Sequence, residues 1–174
     1  MEFKRASQKD LTELKQLYLT IIENTRDMEK YGRWKKDIYP NDTIIENYLN
    51  QQSMYMLIEK NKIIAAMAMT LKQDEDYHQI SWEIATKDDE VAVIHILGIH
   101  PHYQNKGVGS QFIEEALQLA KLHQKKAVRL DALESNLPAR HLYEKLGFVY
   151  RGKQYLYAPN TKETYFYYYE KVII

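Results

Sequence analysis

The run Gln104-Asn105-Lys106-Gly107-Val108-Gly109 is the stretch with the clearest chemical use. Glycines at i and i+2 let the backbone turn where a Cβ would obstruct it. The run follows an apolar, strand-like segment at 91–99 and a His100-Pro101-His102-Tyr103 cap, and it precedes a helix predicted over 110–123. A turn that opens a helix aims several N–H groups at one spot. The first amides of a helix lack internal partners, and that end carries partial positive charge. Such a spot favours a phosphate. Lys106 either adds charge there or sits in solvent. The expectation is a diphosphate cradle at a strand–loop–helix junction.

Spacing narrows the ligand. The dinucleotide fingerprint G-x-G-x-x-G needs a third glycine where Phe112 stands, and the triphosphate loop G-x-x-x-x-G-K-[ST] is absent. The pattern present is Gln104-x-x-Gly107-x-Gly109, then Asn136-x-x-Ala139-x-x-x-Tyr143, then Gly147-Phe148. With these residues the sequence resembles the GNAT superfamily of acyl-CoA-dependent N-acetyltransferases, over nearly the whole chain and most specifically over 94–148.

The resemblance implies a mixed α/β fold. Its central, mostly antiparallel twisted sheet would contain one splayed parallel strand pair and be flanked by helices. It implies acetyl-CoA as co-substrate, no metal, and direct attack by a primary amine in a ternary complex. The acceptor would be a small molecule, or a peptide or protein amine. The pantetheine arm would lie along the backbone of Leu97, Gly98 and Ile99, and the diphosphate would rest on Gln104, Asn105, Lys106, Gly107, Val108, Gly109 and Ser110. Asn136 and Ala139 would meet the cofactor arm, though Asn136 also suits a helix cap. Tyr143 matches the phenol that protonates the leaving thiolate, and near pKa 10 it is protonated at neutral pH. A merely structural tyrosine on an apolar helix face is the alternative. A non-catalytic acyl-CoA sensor or interaction module of the same fold is the alternative function.

The proton acceptor is less clear. Glu83 and His95 are the candidates. An imidazole near pKa 6.5 accepts a proton at neutral pH unaided. A histidine in an apolar strand is more ordinarily a satisfied core residue. His95, His100 and His102 lack a metal-site spacing.

Composition sets the outer bounds. At 174 residues one domain, 1–174, is expected. Basic and acidic residues balance at 24 each, so there is no electrostatic case for nucleic acid or an anionic membrane. The absence of cysteine excludes disulfides, a thiolate metal site and a cysteine nucleophile. No apolar run of spanning length and an early charged stretch predict neither a membrane helix nor a secretory signal, hence a cytoplasmic location.

The elements that must position these residues follow in order. A strand is predicted at 1–6. A helix follows to about 24, started by a capping-box-like Asp10 and Glu13. Residues 25–42 read as an aperiodic connection. Its Trp34 and Tyr39 either line an acceptor pocket or plug the loop onto the core. Asp42 would cap a helix at 43–52. Strands at 53–59 and 62–71 form a hairpin about Lys60-Asn61, with a third hairpin strand at 77–84. Residues 91–99, apolar on both faces, suit a central covered strand, with Gly98 marking a bulge or a close approach. The helix at 110–123 leads to a parallel strand at 127–133. Pro138 opens the next helix, Gly147 stops it, and a hairpin closes the chain about Pro159-Asn160. Acidic turns at 74–76 and 88–90 either draw a cationic amine or are solvated tips. The tyrosine-rich segment 165–169 is a dimer edge or a packed inner strand, which leaves monomer or homodimer open.

Overall fold

The computed structural model describes residues 1–174. Its strands are β1 (Glu2–Arg5), β2 (Met54–Glu59), β3 (Lys62–Thr70), β4 (Val91–Ile99), β5 (Ala127–Leu133), β6 (Val149–Ala158) and β7 (Lys162–Val172). They form one seven-stranded sheet in the order β1-β2-β3-β4-β5-β7-β6. Every neighbouring pair is antiparallel except β4–β5. Helices α1 (Leu11–Asn24) and α2 (Asp42–Asn50) cover one face, and α3 (Val108–Leu122) and α4 (Leu137–Lys145) cover the other. This is the mixed α/β sandwich expected from the sequence.

Periodicity explains the layers. Helix α1 buries Leu14, Leu17, Tyr18 and Ile21, an i, i+3, i+4, i+7 stripe, against Leu49, Met54, Met56, Ala66 and Ala68. Helix α3 buries Phe112, Ile113, Ala116 and Ala120 against Ile64, Met67, Ala92, Ile94 and Val128 on the opposite face. Strands β3 and β4 are therefore covered on both sides, which is why their sequences run largely apolar without alternation.

Several expectations are corrected. Residues 77–84 form no strand. A short 3-10 turn, Glu75–Gln79, leads into irregular chain. The alternating Ile80, Trp82 and Ile84 imitate a strand, but side chains take the backbone bonds there. Glu83 N donates to Glu170 Oε1 at 2.8 Å, and Arg129 Nη2 donates to Ile84 O at 3.3 Å. The capping box pairs Ser7 with Asp10, through bonds of 2.8 and 2.9 Å from Ser7 N and Oγ to Asp10 Oδ2. Glu13 instead accepts from Ile63 N at 2.8 Å, fastening α1 to β3. Asn41, one residue before Asp42, caps α2 by accepting from Ile44 N at 3.0 Å. Helix α3 begins at Val108, not at 110. Strand β7 lies between β5 and β6, so residues 165–169 are interior to the sheet and β6 is its edge.

Candidate active site

Strands β4 and β5 pair over four rows, from Val91↔Ala127 to Ile94↔Leu130, and no further. Their remaining residues diverge. At the same level β4 changes register against β3: Ala66 faces Gly98 while Ala68 faces His95, so β4 carries one extra residue. This is a bulge. It centres on Ile96, whose φ is 43°, and not on Gly98. Gly98 serves the other expected purpose, a close approach: a Cβ there would lie 2.8 Å from Ile21 Cδ1.

The bulge turns two consecutive side chains toward α1 and α2. His95 stacks on Tyr48 of α2 at 5.6 Å, and Ile96 joins the α1/α2 core. Leu97 and Ile99 pack toward α3 and α4. The bulged carbonyl, Ile96 O, accepts from the buried Tyr18 hydroxyl at 2.7 Å. Tyr18→Phe strands that carbonyl and is expected to cost about 1–3 kcal/mol. The measurement is the urea midpoint at unchanged m-value, and an unshifted midpoint would show that the bulge holds without the phenol.

Two titratable groups flank the divergence. His95 Nε2 lies 3.3 Å from Thr70 Oγ1. Burial pushes its imidazole below the ordinary value, against the opposing pull of Asp131 and Asp74, so it is neutral at pH 7. Asp131 is the first β5 residue past the last paired row. It accepts from the Tyr77 hydroxyl at 2.6 Å. Desolvation raises its carboxyl, offset by the Tyr77 bond and by His95. Asp131 is absent from the sequence-based candidates, because a lone acid in Ala-Val-Arg-Leu-Asp-Ala-Leu has no spacing partner. The one signal was a charge in the middle of a covered strand.

The other predicted residues divide clearly. Glu83 is not brought to the divergence. Its half-exposed carboxylate pairs with Arg151 on β6. Tyr143, 6 % exposed, packs on Phe148 and Tyr169 at 6.1 and 6.0 Å. Burial first, then Asp131 and Tyr169, raise its phenol, which stays protonated at neutral pH. Trp34 meets Gly98 and Tyr18, and Tyr39 packs on the same cluster, so both plug the connection onto the core beside the divergence.

The glycine turn lies at the end of β4. Gly107 is the N-cap of α3 with φ 81°, preceded by left-handed Asn105 at 59°. No side chain caps this helix, whereas Asn41 caps α2 and Asn136 caps α4 through Ala139 N at 3.4 Å. A Cβ on Gly107 would meet nothing within 4 Å, so the turn opens on free space. A Cβ on Gly109 would lie 3.1 Å from Leu142 Cδ2, so this glycine lets α3 approach α4. Gln104 Nε2 ties the turn back, donating to Ile99 O and Thr25 Oγ1, each at 3.0 Å. Uncapped amides around an open left-handed turn fit a diphosphate.

Residues 25–41 form a strap from that turn to the far hairpin. Ser135 Oγ donates to Tyr31 O at 2.9 Å, Arg33 Nη2 to Thr161 O at 2.8 Å, and Asn160 Nδ2 to Arg33 O at 3.0 Å. A groove of about 660 Å³ opens beside Tyr48 and Thr70, with Asn47 and Asp74 on its wall. No helix is long and apolar enough to cross a membrane.

A sheet divided at its one parallel pair, with an uncapped glycine turn at the head of the crossover helix, defines the GNAT fold. The chain belongs to the acetyltransferase (GNAT) family, whose sequence model matches residues 12–148. It is 36% identical over 56 residues to the spermine/spermidine N(1)-acetyltransferase of Bacillus subtilis, a match covering 32% of this chain and 37% of that protein. The chain thus spans little more than a third of the length of that relative. Among solved structures, a GNAT-family acetyltransferase from Streptococcus agalactiae superposes with a TM-score of 0.75 at 20% identity, covering 99% of this chain and 95% of the other. A protein from Salmonella typhimurium, solved with its cofactor acetyl-CoA, superposes at 0.71 with 13% identity, covering 99% and 94%.

Proposed function

We propose that residues 1–174 act as one domain that moves the acetyl group of acetyl-CoA to a primary amine by direct attack, in the cytoplasm. The observation that carries this reading is the divergence of β4 and β5 past Ile94 and Leu130, beside an uncapped turn. Acetyl-CoA, when bound, supplies an activated thioester. Amides of Gln104 to Ser110 hold the diphosphate, and Lys106 adds charge at that end. Backbone groups of Leu97, Gly98 and Ile99, unpaired to β5, bond the arm and offer N–H groups to the thioester oxygen, where preorganised donors act strongest. Asn136 and Ala139 position the arm at the start of α4. Tyr143 gives the leaving sulfur its proton, and His95 stands on the acceptor side as a neutral base. Holding both reactants at one gap makes the bimolecular step effectively intramolecular.

The test is thiol release from acetyl-CoA across a panel of alkylamines, amino acids and lysine peptides. Turnover of at least one class supports the reading. Tight acetyl-CoA binding with no turnover of any amine would favour a non-catalytic acyl-CoA sensor. Tyr143→Phe is expected to lower kcat about 100-fold, the lower end of what a positioned general acid contributes, with little change in the KM for acetyl-CoA. An unchanged kcat would remove the acid role.

A further inference from the structure

The two end strands of the sheet, β1 and β6, are each bonded on one side only. β1 is Glu2-Phe3-Lys4-Arg5, short and charged, which is how sheet edges are ordinarily kept from pairing with other chains. β6 has ten residues and no proline. Its cations do not guard it. Arg151 turns inward to Glu83 and Glu170, and Lys153 lies over the Tyr165 ring at 4.1 Å. No main-chain bond reaches β6 from outside the β6–β7 hairpin. What the edge exposes is aromatic: Tyr155 and Tyr157 are 58% and 63% exposed. The hairpin also lacks a third strand. β5 pairs with β7 only as far as Leu133↔Phe166, so the rows from Tyr155↔Tyr165 to Ala158↔Lys162 hold β6 and β7 alone. Two-stranded ribbons are marginal in water. On the β7 side the extension is fastened, by Glu134 N to Tyr165 O at 2.9 Å and by the strap at Asn160 and Thr161. The open side is β6.

We propose that β6 pairs in antiparallel fashion with β6 of a second copy of this chain, about a two-fold axis at Tyr155, joining two sheets into one. The occupant follows from the edge's own complementarity. The regular run Lys153–Tyr157 carries one cation and the rings that attract it, so it matches itself. The register follows from charge and geometry. A two-fold axis perpendicular to the sheet keeps every side chain on its own face, so opposed residues belong to one alternation set. Centring on Lys153 would oppose two ammonium groups, which is destabilising. Centring on Gln154 would run the ladder into the irregularity between Tyr150 and Gly152. Centring on Leu156 would set Lys153 opposite Pro159, outside the strand. Centring on Tyr155 keeps the regular rows. It sets Tyr155 against Tyr155 of the partner subunit and Lys153 against Tyr157 of the partner subunit. Both exposed tyrosines are then covered, and the two-stranded extension gains a neighbour. This interface is independent of the acetyl-transfer reading.

The test is sedimentation velocity of the full chain over a wide range of protein concentration, with hydrogen exchange at both ends of that range. Wild type should pass from one chain to two as concentration rises, by mass action. Amides of 153–157 should exchange more slowly in the dimer, while those of β1 stay unchanged. Tyr157→Lys sets an ammonium against the partner subunit's Lys153. Within the chain the new lysine stands beside Glu163, its neighbour in register, so the hairpin is kept. This variant should dimerise at least about 10-fold more weakly, because both symmetric pairs lose a cation–ring contact and gain like charges. Adding Lys153→Glu to Tyr157→Lys replaces the repulsion with an ion pair and should restore the dimer. A wild type that stays monomeric throughout would overturn the proposal. So would a dimer protected elsewhere than at 153–157, a Tyr157→Lys protein as tightly paired as wild type, or a loss that Lys153→Glu does not repair. The exchange measurement needs no variant, so the proposal stays exposed to failure even if a substitution disturbs folding.

Discussion

Gly107→Glu should weaken acetyl-CoA binding more than about 100-fold in a calorimetric titration. Gly107 sits at φ 81°, where a side chain costs about 1–2 kcal/mol. The new carboxylate would enter the open space in front of the turn, beside the diphosphate. Each like-charge pair there adds roughly 1 kcal/mol at 4 Å even with the dielectric of water, and more where water is excluded. Two such pairs contribute at least about 2 kcal/mol and more where water is excluded, and about 1.4 kcal/mol is tenfold in affinity. Gly107→Ala, which carries the backbone strain without the charge, should lose stability but keep near wild-type affinity, because the strain is present in free and bound protein alike. Because a Cβ at this position meets nothing within 4 Å, the fold itself should survive both changes. Full affinity in Gly107→Glu would remove the diphosphate from this turn.

Glu170→Ala should be the most destabilising single change considered, at about 3–5 kcal/mol, the cost of leaving a buried charge unpaired. The side chains of Arg129 and Glu170 are 1% and 0% exposed and meet at 2.7 Å. Arg129 also donates to Gln73 Oε1 at 2.5 Å and stacks on Trp82 at 4.2 Å, while Glu170 accepts from Glu83 N at 2.8 Å. The pair therefore pins residues 73–84 to the sheet and, with them, the Tyr77 that bonds Asp131. For a chain of this size the loss corresponds to roughly 6–20 °C in melting temperature. Replacing both partners by apolar residues should recover much of it, since a well-packed apolar pair does not carry the desolvation cost of two charges. A Glu170→Ala protein melting within a degree or two of wild type would show that Arg129 finds another partner.

Local chemistry made the glycine turn and most elements legible. Gly107 takes the left-handed conformation its position in the motif required, and Gly147 stops α4 at φ 82°. Pro138 lies in the first turn of α4, and β4 and β5 have the predicted limits. What stayed hidden depends on partners distant in sequence. The bulge falls on Ile96, which no local rule favours, because Tyr18 from α1 grips its carbonyl. Residues 77–84 alternate like a strand, yet Arg129 and Glu170 take up their backbone groups. Asp131 becomes conspicuous only when Tyr77, from a loop, is folded onto it and β4 has turned away. Asn41 and Asp42 are both good helix caps one residue apart, and only geometry chooses between them.

The most direct measurement is a crystal structure of the acetyl-CoA complex. The thioester carbon is predicted to lie between β4 and β5, beyond the Ile94–Leu130 row and within reach of the Leu97–Ile99 backbone, with the diphosphate against the amides of residues 104–110. A cofactor bound elsewhere on the molecule, or β4 and β5 hydrogen-bonded along their whole length with no room for the arm, would contradict the account.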